Sequence, residues 1–126
     1  MFPSYDEIGH ILDELAEELP AVFFNELNLG IVLVETTKYH HEARSEELVI
    51  LGEYSRSRLG RQIKIYYGSF KKLYGHLDRQ DLVEKLRDTL RHEFTHHIQD
   101  LAGNKDLEIE DEIKLEKWRK GNKDGY

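Results

Sequence analysis

A chain of 126 residues, 39% hydrophobic and 34% charged, fits a single domain spanning 1–126 and leaves no room for a second core. It contains no cysteine, which excludes disulfides, thiolate metal ligands and a cysteine nucleophile. The net charge of −7 argues against a general nucleic-acid binder, and the longest apolar runs, such as IVLV at 31–34, are too short to span a membrane.

The predicted elements, in chain order, describe an α+β domain. Ser4 and Glu7 have capping-box spacing, and Ile8, Ile11, Leu12, Leu15 and Leu19 follow at helical intervals, so helix one runs over 5–19 and stops at Pro20. AVFFNEL forms a short helical turn. LGIVLVET, 29–36, is a buried strand, and 37–47 an exposed loop. LVILGEY, 48–54, and RQIKIYYG, 61–68, form two further strands joined as a hairpin near Gly60. A short helix follows at 69–74. Asp78 caps a long helix over 79–102 that ends at Gly103 as a left-handed C′ residue. A last helix, 106–119, folds back on it, and the tail 120–126 is loose. The sheet is expected to be short and mostly antiparallel, packed against the long helix and the return helix.

Charge is unevenly placed along these elements. Residues 1–54 carry twelve acids against Lys38 and Arg44, whereas 55–76 carry six bases (Arg56, Arg58, Arg61, Lys64, Lys71, Lys72) and no acid. The simplest account is a solvated basic hairpin that balances acidic helices; the other is a surface that attracts an acidic substrate or partner. The acidic start, MFPSYDEIGH, lacks the parts of a secretory signal, which makes a cytoplasmic location the expectation.

The chemistry is concentrated in RHEFTHHIQD, 91–100. His92-Glu93-Phe94-Thr95-His96 is an HExxH pentapeptide. Residues four apart on a helix share a face, so two imidazoles one turn apart can reach one zinc ion. Glu93, about 100° round the helix, stands beside such an ion, where a general base belongs. Val83, Leu86, Leu90, Phe94, Ile98 and Leu101 occupy roughly the opposite face, so the core holds one side while His92 and His96 face away from it. A merely solvated stripe would show the same pattern. His97 points to the apolar side as a hydrogen-bonded core residue, His10 is a surface residue, and His40 and His41 fall in the loop.

A third ligand is expected from the return helix. The turn Gly103-Asn104-Lys105 is short enough to lay 108–116 beside the histidines. Asp111 sits in an apolar stripe with Leu107, Leu115 and Trp118, where a carboxylate needs a metal or an ionic partner such as Arg91. It is the first candidate, ahead of Glu108, Glu112 and Asp106. Asp100, one turn beyond His96, suits a hydrogen bond to a ligand histidine better than ligation.

TLRHEFTHHIQDLAG, the preceding YYGSF, and the early ELP followed by a strand ending VE together resemble the minimal zincin-like metallopeptidases of bacteria, over about 5–118. The resemblance implies a zincin-like fold, one bound zinc and a hydrolase of peptides or protein segments. Many members resemble HExxHxxGxxD, but Gln99 and Ala102 stand at the glycine and aspartate positions here. Asp106 restores the spacing one helical turn, about 5.4 Å, too late. In this reading Glu93 is the general base, an edge strand over 48–54 or 61–67 binds the extended substrate, and Tyr66, Tyr67 or His76 is available to the oxyanion. The competing readings are a zincin-shaped binding module acting through its basic hairpin and, less favoured by the acidic balance, a DNA-associated regulator.

Overall fold

The computed structural model describes residues 1–41 and 48–103. The expected return helix, with Asp106, Glu108, Asp111 and Glu112, and the tail lie outside the described residues. Helix α1, Tyr5–Glu17, begins where the Ser4 hydroxyl accepts the Glu7 amide at 3.2 Å, with Asp6 and Glu7 favouring its positive end. It turns Ile8, Ile11, Leu12 and Leu15 inward and stops two residues earlier than expected. A 3-10 turn, Ala21–Phe24, then buries Phe23 and leads to β1, Ile31–Val34, the middle of the expected 29–36 strand.

The segment 48–54, expected as one strand, belongs to two sheets. Lys38–Tyr39 (β2) pairs antiparallel with Val49–Ile50 (β3), so a strand begins inside the expected 37–47 loop. After Leu51 the chain changes partner: Gly52–Ser57 (β4) pairs antiparallel with Gly60–Tyr66 (β5). A run of apolar residues marks strand character but not which neighbour accepts its hydrogen bonds, so the break was invisible locally.

The expected hairpin is present. Its turn is Arg58–Leu59, and Asn28 braces it by accepting the Arg61 amide at 3.0 Å and donating to the Leu59 carbonyl at 2.9 Å. Gly60 has φ +142, and a Cβ there would fall 2.1–2.4 Å from the Asn28 side chain, so only glycine fits. β5 is the central strand of the order β1-β5-β4, with β1 parallel to it from Ile31↔Ile63 to Val34↔Tyr66. Two pairings are antiparallel and one is parallel, and β4 forms one edge.

Helix α2, Tyr67–Tyr74, starts two residues before the expected 69. Asp78 accepts the Asp81 amide at 2.8 Å and opens α3, Arg79–Gly103. The helix runs through Gly103 without a left-handed residue, so the expected C′ role is not taken up. α3 buries Leu82, Leu86, Leu90, Phe94, Ile98 and Leu101 against α1, Phe23, Ile63 and Ile65. The result is a small α+β fold in which one long helix lies across the sheet, with its later half beside the β4 edge.

Candidate metal centre

α3 carries all three residues of the HExxH signature on its border between core and solvent. His96 is exposed and His92 half-buried, and their Nε2 atoms approach to 3.1 Å with the rings edge to face. Two nitrogens held at 2.0–2.1 Å from one tetrahedral ion lie roughly 3.3 Å apart, so the pair fits a shared zinc with little adjustment. Burial, and then the neighbouring His96, push the His92 pKa down. That favours the neutral imidazole, the form that ligates metal.

Glu93 turns from this pair towards β4 and is only 5% exposed. Its carboxylate accepts the backbone N–H of Tyr54, but no arginine or lysine among the described residues pairs with it. Burial, and then the charge of Glu53, raise its pKa to about 7 despite that hydrogen bond. Tyr54 lies opposite Ile63 of β5, whereas Leu51 on the same strand's approach gives its carbonyl to Tyr66. The edge residue Tyr54 therefore spends its amide on the helix rather than on a neighbouring strand.

Two turns further along α3, Asp100 meets the same tyrosine differently. The Tyr54 hydroxyl donates to Asp100 Oδ2 at 2.7 Å, Arg61 Nε donates to the same oxygen at 3.0 Å, and Arg56 Nη1 donates to Oδ1 at 2.7 Å. Burial alone would raise the Asp100 pKa; the Tyr54 and Arg61 hydrogen bonds and the two guanidinium charges hold it below the usual carboxylate value. Asp100 thus meets Tyr54, Arg56 and Arg61, partners that the sequence expectation of a ligand histidine did not include. It connects through Tyr54 to His97, whose Nδ1 lies 2.9 Å from the tyrosine oxygen and whose Nε2 lies 2.8 Å from the Asn25 carbonyl. His97 is fully buried, as its place on the apolar face implied.

On the other face of β4, Glu53 accepts Lys38 Nζ at 2.7 and 2.9 Å and the Tyr66 hydroxyl at 2.5 Å. This occupies Tyr66, and Tyr67 donates to the Pro3 carbonyl at 2.8 Å. His76 comes three residues before Arg79, where α3 begins about 20 Å along its axis from His92. Of the two edges considered, 48–54 and 61–67, the second is interior, because β5 is flanked by β1 and β4, whereas β4 is an edge of the sheet. Among the described residues no group of three or more His, Asp or Glu is placed to hold one ion. Each third-ligand candidate, Asp111, Glu108, Glu112 and Asp106, lies outside them.

Sequence reasoning missed the role of Tyr54 and the joining of Arg56 and Arg61 through Asp100. The available signal was the alternation Gly52, Tyr54, Arg56, which puts these residues on one face of a strand, but using it required the β4–β5 register.

No family model matches the chain, and no curated protein matches it. Among solved structures, it is similar to a conserved hypothetical protein (TTHA0227) from Thermo thermophilus, with 29% identity and a TM-score of 0.69. The match covers 80% of this chain and 99% of that one. The name of that protein assigns no activity. Among the described residues no helix is long and apolar enough to cross a membrane.

Proposed function

We propose that the protein is a zinc-dependent peptidase of the zincin type, acting in the cytoplasm on extended peptides or protein segments. The approach of His92 and His96 Nε2 to 3.1 Å carries this reading, with Glu93 fixed beside them by the Tyr54 amide. His92 and His96 would hold the metal with a carboxylate from the chain beyond Gly103, Asp111 first. Zinc bound there supplies Lewis acidity to the attacking water and the scissile carbonyl.

The chain's own residues account for the rest. Glu93 takes the proton from the attacking water and delivers it to the departing amine, and the Tyr54 N–H keeps its carboxylate aimed during both transfers. Core packing on the opposite face of α3, through Leu90, Phe94 and Ile98, fixes the helix and with it the spacing of the two imidazoles. The β4 edge borders the cleft and offers backbone groups to an extended chain.

The test measures metal content and peptide cleavage together. Protein purified without added metal should carry close to one zinc, lost in His92→Ala and in Asp111→Ala. Glu93→Gln should keep the zinc and lose cleavage of a mixed peptide library. Zinc retained by Asp111→Ala would transfer ligation to Glu108, Glu112 or Asp106. A wild-type protein that takes up no zinc on titration would overturn the peptidase and leave the binding module.

A further inference from the structure

Beside His96 lies an open depression lined also by Tyr54, Arg56, Gln99 and Asp100. Its electrostatics follow from the sheet register. Arg56 and Arg61 are directly paired across β4 and β5, where two like charges repel. Asp100, reaching down from α3, holds both guanidiniums and supplies one negative charge against two positive ones. Arg61 has a further carboxylate, Glu26, at 4.0 Å, but that group is 66% exposed and strongly screened by water. Arg61 is 13% exposed and serves as an internal strut, whereas Arg56 is half exposed and gives only Nη1 to Asp100 among the described residues. Of the two guanidiniums, the one at the surface of the depression, beside His96, is therefore that of Arg56.

We propose that Arg56, braced by Asp100, is a specificity-determining residue that selects an acidic side chain, aspartate or glutamate, next to the scissile bond of the substrate. The inference rests on the peptidase reading and specifies the substrate class of that site. A guanidinium suits a carboxylate because its planar fork can give one donor to Asp100 and present others to the substrate. Asp100 keeps the fork from collapsing onto solvent, and Tyr54 ties that carboxylate to the strand carrying Arg56. The surrounding 55–76 segment, with six bases and no acid, adds a favourable field for an acidic peptide.

The experiment reads binding and cleavage separately. Zinc-loaded Glu93→Gln protein, used to keep peptides whole, is titrated with labelled peptides that are identical except for Glu, Gln or Lys at one position, scanned through the sequence. A short single-stranded oligonucleotide is titrated in parallel. At one position the Glu peptide should bind about fivefold tighter than its Gln counterpart. The added Arg56→Gln change should erase that preference, and Arg56→Glu should turn it towards Lys. Arg56→Lys should keep part of it, and thermal melts of all variants confirm folding. A flat scan, an acidic preference that survives Arg56→Gln, or tighter binding of the oligonucleotide than of any peptide would each overturn the proposal.

Cleavage of the same peptides by wild type separates the two readings. Cleavage without acidic selection overturns the subsite and keeps the peptidase. Acid-selective, Arg56-dependent binding without cleavage keeps the subsite and overturns the peptidase. Neither binding nor cleavage overturns both.

Discussion

Glu93 and Asp100 are seven residues apart on the same stripe of α3, and both are bonded by Tyr54, one through its amide and the other through its hydroxyl. Their protonation nevertheless moves in opposite directions. Glu93 is buried with no cation paired to it among the described residues and its pKa rises to about 7, while Asp100 is shared by Arg56 and Arg61 and its pKa falls. Position on a helix face therefore does not determine what a carboxylate does; the charges delivered by the facing strand do. Asp100 is occupied in holding α3 to the β4–β5 hairpin. Glu93 is oriented but not neutralised by a cation among the described residues, which suits the general-base role proposed for it.

The largest expected effect separates these roles by activity. Glu93→Gln keeps the shape and the Tyr54 hydrogen bond but removes the basic oxygen, so cleavage should fall about 10²- to 10⁴-fold with zinc content unchanged. Asp100→Asn should retain most of the rate per folded molecule. Comparable loss of turnover in the two variants, at equal zinc content and folded fraction, would break the comparison.

In the metal-free protein the two residues should give opposite pH dependences. The Glu93 pKa lies above its ordinary 4.5 in the folded state, so its share of stability is intact below about 4.5 and declines as pH rises through 7. The difference from 4.5 to about 7 corresponds to about 3 kcal/mol. Glu93→Gln should remove the decline, which denaturant titrations of the zinc-free chain between pH 5 and 8 would show. For Asp100 the sign reverses: its contribution is present above the ordinary carboxylate value and is lost as pH falls through the depressed one. Asp100→Asn should cost about 2 kcal/mol at neutral pH by leaving Arg56 and Arg61 facing each other with that charge removed. It should also flatten the acid limb of the stability profile. An Asp100→Asn protein as stable as wild type at neutral pH would show that the bridge contributes nothing net.

Much of this arrangement could be read from local patterns, and the missing part was non-local. The period of Leu86, Leu90, Phe94 and Ile98 marks α3 and its core face, and the i,i+4 histidines mark a possible ligand pair. Ser4 and Asp78 mark two helix starts by their own side-chain bonds. The split at Leu51 and the parallel placement of β1 depend on partners distant in sequence, which residue type alone does not name. The same applies to Asp100. Spacing placed it near the histidines, but its actual partners come from positions 54, 56 and 61, fixed only once β4 and β5 are in register.

The smallest expected effect tests the contact that sets the distance between α3 and β4. Gly52 has no left-handed backbone, so its conformation would tolerate alanine; the constraint is space. A Cβ there would lie 3.1 Å from Thr89 Cγ2, 3.1 Å from Ile65 Cδ1 and 3.2 Å from the Lys64 carbonyl. Thr89 is β-branched and stiff at χ1, and the carbonyl belongs to the central strand, so the helix is the partner that must give, by a few tenths of an ångström. Gly52→Ala should cost about 1 kcal/mol, or about 4 °C in Tm. Because Thr89 lies one turn before Glu93, the shift should also loosen the Tyr54–Glu93 hydrogen bond and lower turnover severalfold. Adding Thr89→Ala removes one of the two nearest methyls, the one on the helix, and should restore most of both losses. If the double variant stays as impaired as Gly52→Ala, the clash is with β5, through Ile65 Cδ1 or the Lys64 carbonyl, and strand β4 rather than α3 has moved. In that case Glu93 would lose its Tyr54 donor through the strand, while Asp100 would lose Tyr54 and Arg56 together.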